Sequence, residues 1–219
     1  MKSYSCYYGR MIGIFDSGFG GLTTMNAIVR LLPQYDYTYL GDNARTPYGI
    51  RSHDIVKKYT EEAIHFLWDK GCGLIIIACN TASAQALPYI QQKYHKKLLK
   101  EGKKVLCVTI PIAEEAVSVT RSGRIGLVAT SATIESQSFP KEIHKLNQKI
   151  VVLEQSCPLI VPFVEEGWHA KPEARTILKK YLLPLKSQHV DTVILGCTLY
   201  SFMMKDFVSI MGKNCRVLD

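Results

Sequence analysis

No stretch of this chain is long and apolar enough to cross a bilayer. The best candidates, LIIIAC (74–79) and TVILGC (192–197), fall far short of the roughly 20 residues a spanning helix needs. The opening residues, MKSYSCYYGRMIGIF, carry a lysine but no sustained apolar run before Asp16, so no secretory leader is expected. The seven cysteines are odd in number, include no CxxC pair and are scattered through apolar segments. That pattern argues against a disulfide framework and a zinc site, and reduced thiols are the expected state. RNP-like aromatics, zinc fingers and recognition-helix signatures are missing too. The net charge of +8, much of it in YHKKLLKEGKK (94–104), therefore reads as a solvated helix end and loop, and nucleic acid is not an expected partner. There is no short-period repeat or low-complexity tract. What remains is a soluble, cytoplasmic, globular protein. Its 219 residues, 47% of them hydrophobic, suffice for one large domain or two small ones.

Short β-branched runs alternate with longer amphipathic ones, the pattern of a mostly parallel sheet wrapped by helices. Strands are expected at 11–15, 37–41, 74–78, 104–108, 124–129, 150–154 and 192–196, with a further short one near CRVL. Helices are expected at 20–32, ending before Pro33, and at 52–70, opened by a Ser52 cap and closed by Gly71. A third starts at Thr81 and restarts at Pro88, and a fourth covers 172–187 with Pro172 in its first turn. The runs IIIACNTAS and VILGCTLYS end alike, each with a small residue, a cysteine and then polar side chains, 118 positions apart. That likeness predicts two similar α/β lobes joined near 98–103: residues 1–100, with 208–219 open to returning to them, and residues 101–207.

In open α/β sheets ligands collect beyond the carboxyl ends of the strands. The polar motifs FDSGFGGL, GDNARTPYG, ACNTAS and GCTLYS all fall at such ends. The glycines after Asp16 invite a dinucleotide reading, but Thr23 stands where GxGxxG needs its third glycine. Asp16 would also repel a pyrophosphate at that helix start. It suits an α-ammonium group instead, held with Ser17, while nearby N–H groups take a carboxylate; simple helix capping by Asp16 and Ser17 stays open. Tyr48 and Gly49 in PYG are either turn residues or ligand contacts. Asn80, Thr81 and Ser83 either bind a carboxylate or cap a helix.

Cys6, Cys72, Cys107 and Cys215 read as small buried hydrophobes. Cys79 and Cys197 differ, since each sits at a strand end beside polar groups, where two lobes would face one another. A thiol near a helix N-terminus and a substrate ammonium is expected to have a lowered pKa and to serve as a thiolate base. Two bases on opposite sides of one carbon invert a stereocentre, which predicts a cofactor-independent amino-acid racemase or epimerase. Nucleophilic cysteine chemistry would want a histidine nearby, and none of the six histidines lies in a strand-end motif.

Taken together and in order, DSGFGGL, ARTPYG, ACNTAS, CPLIVPFVEEGW and LGCT resemble the glutamate racemases of the aspartate/glutamate racemase superfamily, from Met11 to about Val217. The resemblance implies two pseudosymmetric lobes, each a mostly parallel sheet flanked by helices, with the active site in the cleft between them. It also implies no pyridoxal phosphate or metal, a glutamate substrate, self-association as a homodimer, and supply of D-glutamate for peptidoglycan. Carried over by motif, Cys79 and Cys197 are the acid/base thiols, and Asp16 and Ser17 hold substrate and assist Cys79. Tyr48, Gly49, Asn80, Thr81 and Thr198 bind it, and Glu165 serves the second thiol, with adjacent Glu166 as the alternative. Two departures stand out. GCTLYS places Leu199 where the family usually has a histidine, an exchange that implies turnover slowed by ~10²–10⁴ unless Glu165 compensates. The sequence also stops at Asp219, where the family's return to the first lobe would begin, so uncovered apolar surface is expected. A silent amino-acid-binding homologue, an aspartate racemase and a nucleotide-binding oxidoreductase stay open as alternatives.

Overall fold

Apolar runs of three to six residues become strands here because helices cover them on both sides. The computed structural model describes residues 11–219, which form eight strands in two four-stranded sheets. Cys6 and the loose extension expected at 1–10 lie outside the described residues. In chain order the first half comprises β1 (Met11–Asp16), α1 (Leu22–Leu31), β2 (Asp36–Gly41), a 3-10 turn (Tyr48–Ile50), α2 (His53–Asp69), β3 (Leu74–Ile77), α3 (Asn80–Lys93), α4 (His95–Glu101) and β4 (Lys104–Cys107). The second half comprises α5 (Thr109–Val119), β5 (Arg124–Ala129), α6 (Ser131–Ser136), α7 (Ser138–Leu146), β6 (Val151–Ser156), α8 (Ile160–Glu165), α9 (Pro172–Ser187), β7 (Thr192–Gly196), a second 3-10 turn (Thr198–Met203), α10 (Met204–Met211) and β8 (Arg216–Leu218).

Every strand pairing is parallel. The orders are β2-β1-β3-β4 and β6-β5-β7-β8, so each element of the first sheet has a counterpart four strands later. The correspondence extends to single residues. Gly13 in β1 and Gly126 in β5 are both third in their strands, and a Cβ on either would press within 3.2 Å of a leucine from the covering helix, Leu67 or Leu185. Covering helices bury both faces of each sheet. In the first lobe Phe15, Ile75 and Ile77 pack with Ile64 and Leu67 of α2 and with Ala86 and Ile90 of α3. In the second, Val193 and Leu195 pack on Leu178, Leu182 and Leu185 of α9, and Ile125, Leu127 and Ile194 pack on Ala113, Phe139 and Ile143. Truncating a residue such as Leu182 to alanine costs about 2–5 kcal/mol. The outer face of the first sheet is covered more thinly. A groove of about 570 Å³ bordered by α1, α5 and the end of β8 leaves Leu106 exposed.

The division of the chain differs from the expected one. Lys104–Cys107, placed beyond a boundary at residue 100, pairs with β3 and buries Val105 in the first core. The crossing to the second lobe therefore comes after Cys107, where α5 contributes Ala113 and Ala116 to the second core, and 98–103 belongs to α4 and its turn. Residues 208–219 do not return to the first lobe. The crossover through α10 lays Arg216–Leu218 beside Thr192–Ile194, and Val217 and Leu218 pack on second-lobe cores. Pro88 does not restart a helix either. It lies inside α3, whose buried face (Ala82, Ala86, Leu87, Ile90) outweighs the hydrogen bond the proline forgoes. Ser52 precedes α2 but makes no side-chain cap bond. Among the described residues, no helix is long and apolar enough to cross a membrane.

Candidate active site

In a sheet of order 2-1-3-4 the chain leaves β1 towards one edge and later returns to its other side, which opens a crevice at the carboxyl ends of β1 and β3. Asp16 closes β1, and Cys79 lies two residues beyond β3. The second sheet repeats the arrangement, with Thr130 just past β5 and Cys197 just past β7. All four residues line a single cavity where the two crevices face one another.

Cys79 is buried and occupies the N-cap of α3, where its Sγ accepts the N–H of Ala82 at 3.4 Å and lies 3.3 Å from Ser17 Oγ. Burial, reinforced by the negative charge of Asp16, pushes its pKa up to about 11 against the opposing pull of Ser17 and the Ala82 N–H. Asp16 is 1% exposed and receives the N–H groups of Gly21, Gly18 and Ser17 and, from the other lobe, the Thr198 hydroxyl at 3.3 Å. Burial still raises its pKa. Cys197 is partly buried; burial raises its pKa strongly, opposed by the N–H groups of Leu199 and Tyr200. The helix starts by themselves therefore do not lower the thiol pKa values. Desolvation and a nearby carboxylate exceed what the helix starts supply, and both thiols rest in the neutral form.

Glu165, the last residue of α8, lines the cavity on the Cys197 side, while Glu166 is exposed and outside it. Leu199 also forms part of the wall. It is 7% exposed, belongs to the second-lobe core and packs towards Gly20 across the cleft. The remaining sequence-predicted residues, Ser17, Tyr48, Gly49, Asn80, Thr81 and Thr198, all reach the cavity. Two of them use their hydroxyls elsewhere: Tyr48 donates to Asp42 Oδ2 at 2.6 Å, and Thr81 bonds Thr130 at 2.9 Å and Thr133 at 3.2 Å across the lobes. Ser83 is not brought to the site, because it donates to Ile77 O within its own lobe. Thr46, Thr130 and Val161 were not anticipated. Thr130 was within reach of the sequence, since RIGLVAT ends β5 as MIGIFD ends β1.

Among the described residues the lining contains Asp16 and Glu165 but no lysine, arginine or histidine. The donors these residues offer a substrate carboxylate are hydroxyl, amide and backbone groups. Among the described residues no group of three or more His, Cys, Asp or Glu side chains is placed to hold a metal. The cavity is tight. About 30 Å³ is open to a water-sized sphere, room for ~two waters, so an amino acid enters only where the lining side chains or the lobes give way. Gly49 marks how closely they meet, since a Cβ there would stand 2.7 Å from Thr130 Cβ and Cγ2. The arrangement offers two thiols, one from each lobe, on a single enclosed space.

Known proteins resemble this chain in both sequence and structure. The glutamate racemase of Geobacter metallireducens is 40% identical over 210 residues, which cover 96% of this chain and 75% of that protein. The crystal structure of glutamate racemase isoform RacE1 from Bacillus anthracis superimposes with a TM-score of 0.88 at 34% identity, covering 95% of this chain and 76% of that one. That of the Francisella tularensis glutamate racemase in complex with D-glutamate does so with a TM-score of 0.86 at 33% identity, covering 96% and 76%. Residues 12–213 match the family described as Asp/Glu/Hydantoin racemase. With the repeated lobes and the shared cavity they enclose, these matches establish that the chain belongs to the Asp/Glu/Hydantoin racemase family.

Proposed function

We propose that this protein is a cofactor-independent glutamate racemase, interconverting L- and D-glutamate by a two-thiol mechanism and supplying D-glutamate for peptidoglycan. The observation that carries the reading is the placement of Cys79 and Cys197 at equivalent strand ends of two identically wound lobes, both on one cavity. One thiolate takes the α-proton from one face, and the opposite thiol returns a proton to the other. Asp16 and Glu165 are the carboxylates available to the substrate ammonium and to the thiols. Burial is the larger cause of the raised Cys79 pKa and the charge of Asp16 the smaller; an ammonium beside Asp16 offsets the second and so shifts Cys79 towards the thiolate when substrate is bound. Ser17 and Asn80 are the assigned side-chain donors to substrate carboxylates, Thr81 and Thr198, whose hydroxyls are engaged by Thr130, Thr133 and Asp16, offer backbone N–H groups, and Tyr48 and Gly49 form the wall against which it lies. Glutamate is the substrate of the relatives at 33–40% identity. A cytoplasmic location and a homodimer belong to the same proposal, and sedimentation reads the second.

Chiral chromatography of L- and D-glutamate incubated in deuterated water tests the reading. Racemisation with deuterium at Cα is expected, reduced by ~10²–10⁴ in Cys79→Ser and Cys197→Ser. A second reading, a weakened or silent homologue that still binds an acidic amino acid, is favoured by one observation. Leu199 gives the Cys197 side an aliphatic wall. It predicts glutamate binding by calorimetry with little turnover, and a rate that rises in Leu199→His. No interconversion by either protein, and no deuterium at Cα, would overturn the enzymatic reading.

A further inference from the structure

We propose that Thr46 is a positioning residue that sets the Glu165 carboxylate against the Cys197 side of the cavity, and does so only while the lobes are closed. The inference rests on the two-thiol reading above. Thr46 Oγ1 donates to Glu165 Oε1 at 3.1 Å across 119 residues of chain, from first lobe to second. Both residues line the cavity that holds the thiols.

The two carboxylates of the cavity are held very differently. Asp16 is fixed by three N–H groups and a hydroxyl. Among the described residues, Thr46 is the only hydrogen-bond partner of the Glu165 side chain, and no cation pairs with it. Nor does the neighbouring wall help, because Leu199 is aliphatic and Cys197 is otherwise supported by backbone N–H groups alone. Glu165 also ends a six-residue helix packed on the turn that follows Cys197, so its backbone is placed while its long side chain is not.

Thr46, by contrast, sits on an anchored segment. On one side of it Arg45 Nε meets Asp42 Oδ2 at 2.6 Å and Arg45 Nη1 meets Glu62 Oε2 at 2.5 Å. On the other, Tyr48 donates to the same Asp42 oxygen at 2.6 Å. A hydroxyl tied so firmly to the first lobe cannot follow Glu165 when the second moves away. The cavity must widen to admit an amino acid; when the lobes part to widen it this bond breaks, and it is remade when they close on the substrate. The Cys197 side is thereby armed by closure, whereas the Cys79 side keeps its Ser17 and Ala82 partners, both from its own lobe.

The test compares Thr46→Val, which keeps the shape and removes the donor, with Thr46→Ser, which keeps the donor. In Thr46→Val kcat is expected to fall ~10- to 100-fold with KM little changed, and Thr46→Ser should recover most of that loss. Primary isotope effects on kcat/KM, measured with each α-deuterated enantiomer, supply a readout that general loosening would not move in the same way. Slowing transfer at Cys197 raises the effect for the enantiomer whose α-hydrogen goes to that thiol and lowers it for the other. Isotope effects that shift together, Thr46→Val matching an active wild type, or Thr46→Ser as impaired as Thr46→Val would each overturn the inference. An inactive wild type would instead bring down the racemase reading, and this inference with it.

Discussion

Cys79 carries the sharpest pH dependence available at a single residue. Its pKa is pushed up to about 11 by burial and by Asp16, so the free protein holds it as a thiol at neutral pH. Only the thiolate is nucleophilic. Alkylation of Cys79 by iodoacetamide is therefore expected to be slow at pH 7–8 and to accelerate about tenfold per pH unit until it levels near 11. Peptide mass spectrometry of the modified protein reads the rate, and a plateau below pH 9 would show that the thiolate is stabilised after all. Asp191 shows the opposite shift. Burial works against its ionised form, but the Thr120 hydroxyl and the N–H groups of Ser122 and Arg121 lower its pKa from 3.8 to about 2. They tie the residues ahead of β5 to the start of β7 at 2.6–2.8 Å. A lowered pKa means stability present above the ordinary value and lost as pH falls through the folded one. Asp191→Asn is expected to cost about 1–3 kcal/mol at pH 7, with the deficit closing between pH 4 and 2. Urea denaturation across that range measures it.

At the level of elements, what the sequence revealed follows from what each signal depends on. The strands were legible almost residue by residue, because a parallel sheet buried on both faces demands unbroken apolar runs such as LIII and TVILG. Gly71 and Pro172 marked helix ends correctly. Pro88 misled because a local propensity was weighed without the buried face of α3 that overrides it. The fate of 208–219 was hidden for a related reason: which sheet receives a three-residue edge strand is decided by crossover geometry and by the cores met by Val217 and Leu218. In the site, Cys79, Cys197 and Asp16 could be found because each ends a strand in a recognisable motif. Thr46 lies within a further strand-end motif, GDNARTPYG, and Val161 in none, and for both the place on the cavity is set by how the two lobes pack. The direction of the thiol pKa values in the free protein could not be read either, because desolvation depends on packing that motifs do not encode.

At the scale of the whole molecule, two lobes of like topology meet across a seam stitched by hydroxyl groups. Thr81 bonds Thr130 and Thr133, Gln85 donates to Ala132 O, and Thr198 donates to Asp16. Gly49 lets the lobes approach to contact. Gly49→Ala places a methyl group in the space Thr130 occupies and is expected to hold the seam ajar, with kcat reduced ~10-fold or more while the melting temperature changes little. Small-angle scattering should then give the variant a larger radius of gyration than wild type. Equal radii in the two proteins would dismiss steric blockage as the cause.

The same seam bears on the fate of a reactive carbon. A chamber whose free space is only that of a couple of solvent molecules leaves, once substrate has displaced them, no bystander to quench a carbanion. Both sulfurs then carry a hydrogen, and the one that gives its own to the carbanion decides the handedness of what leaves.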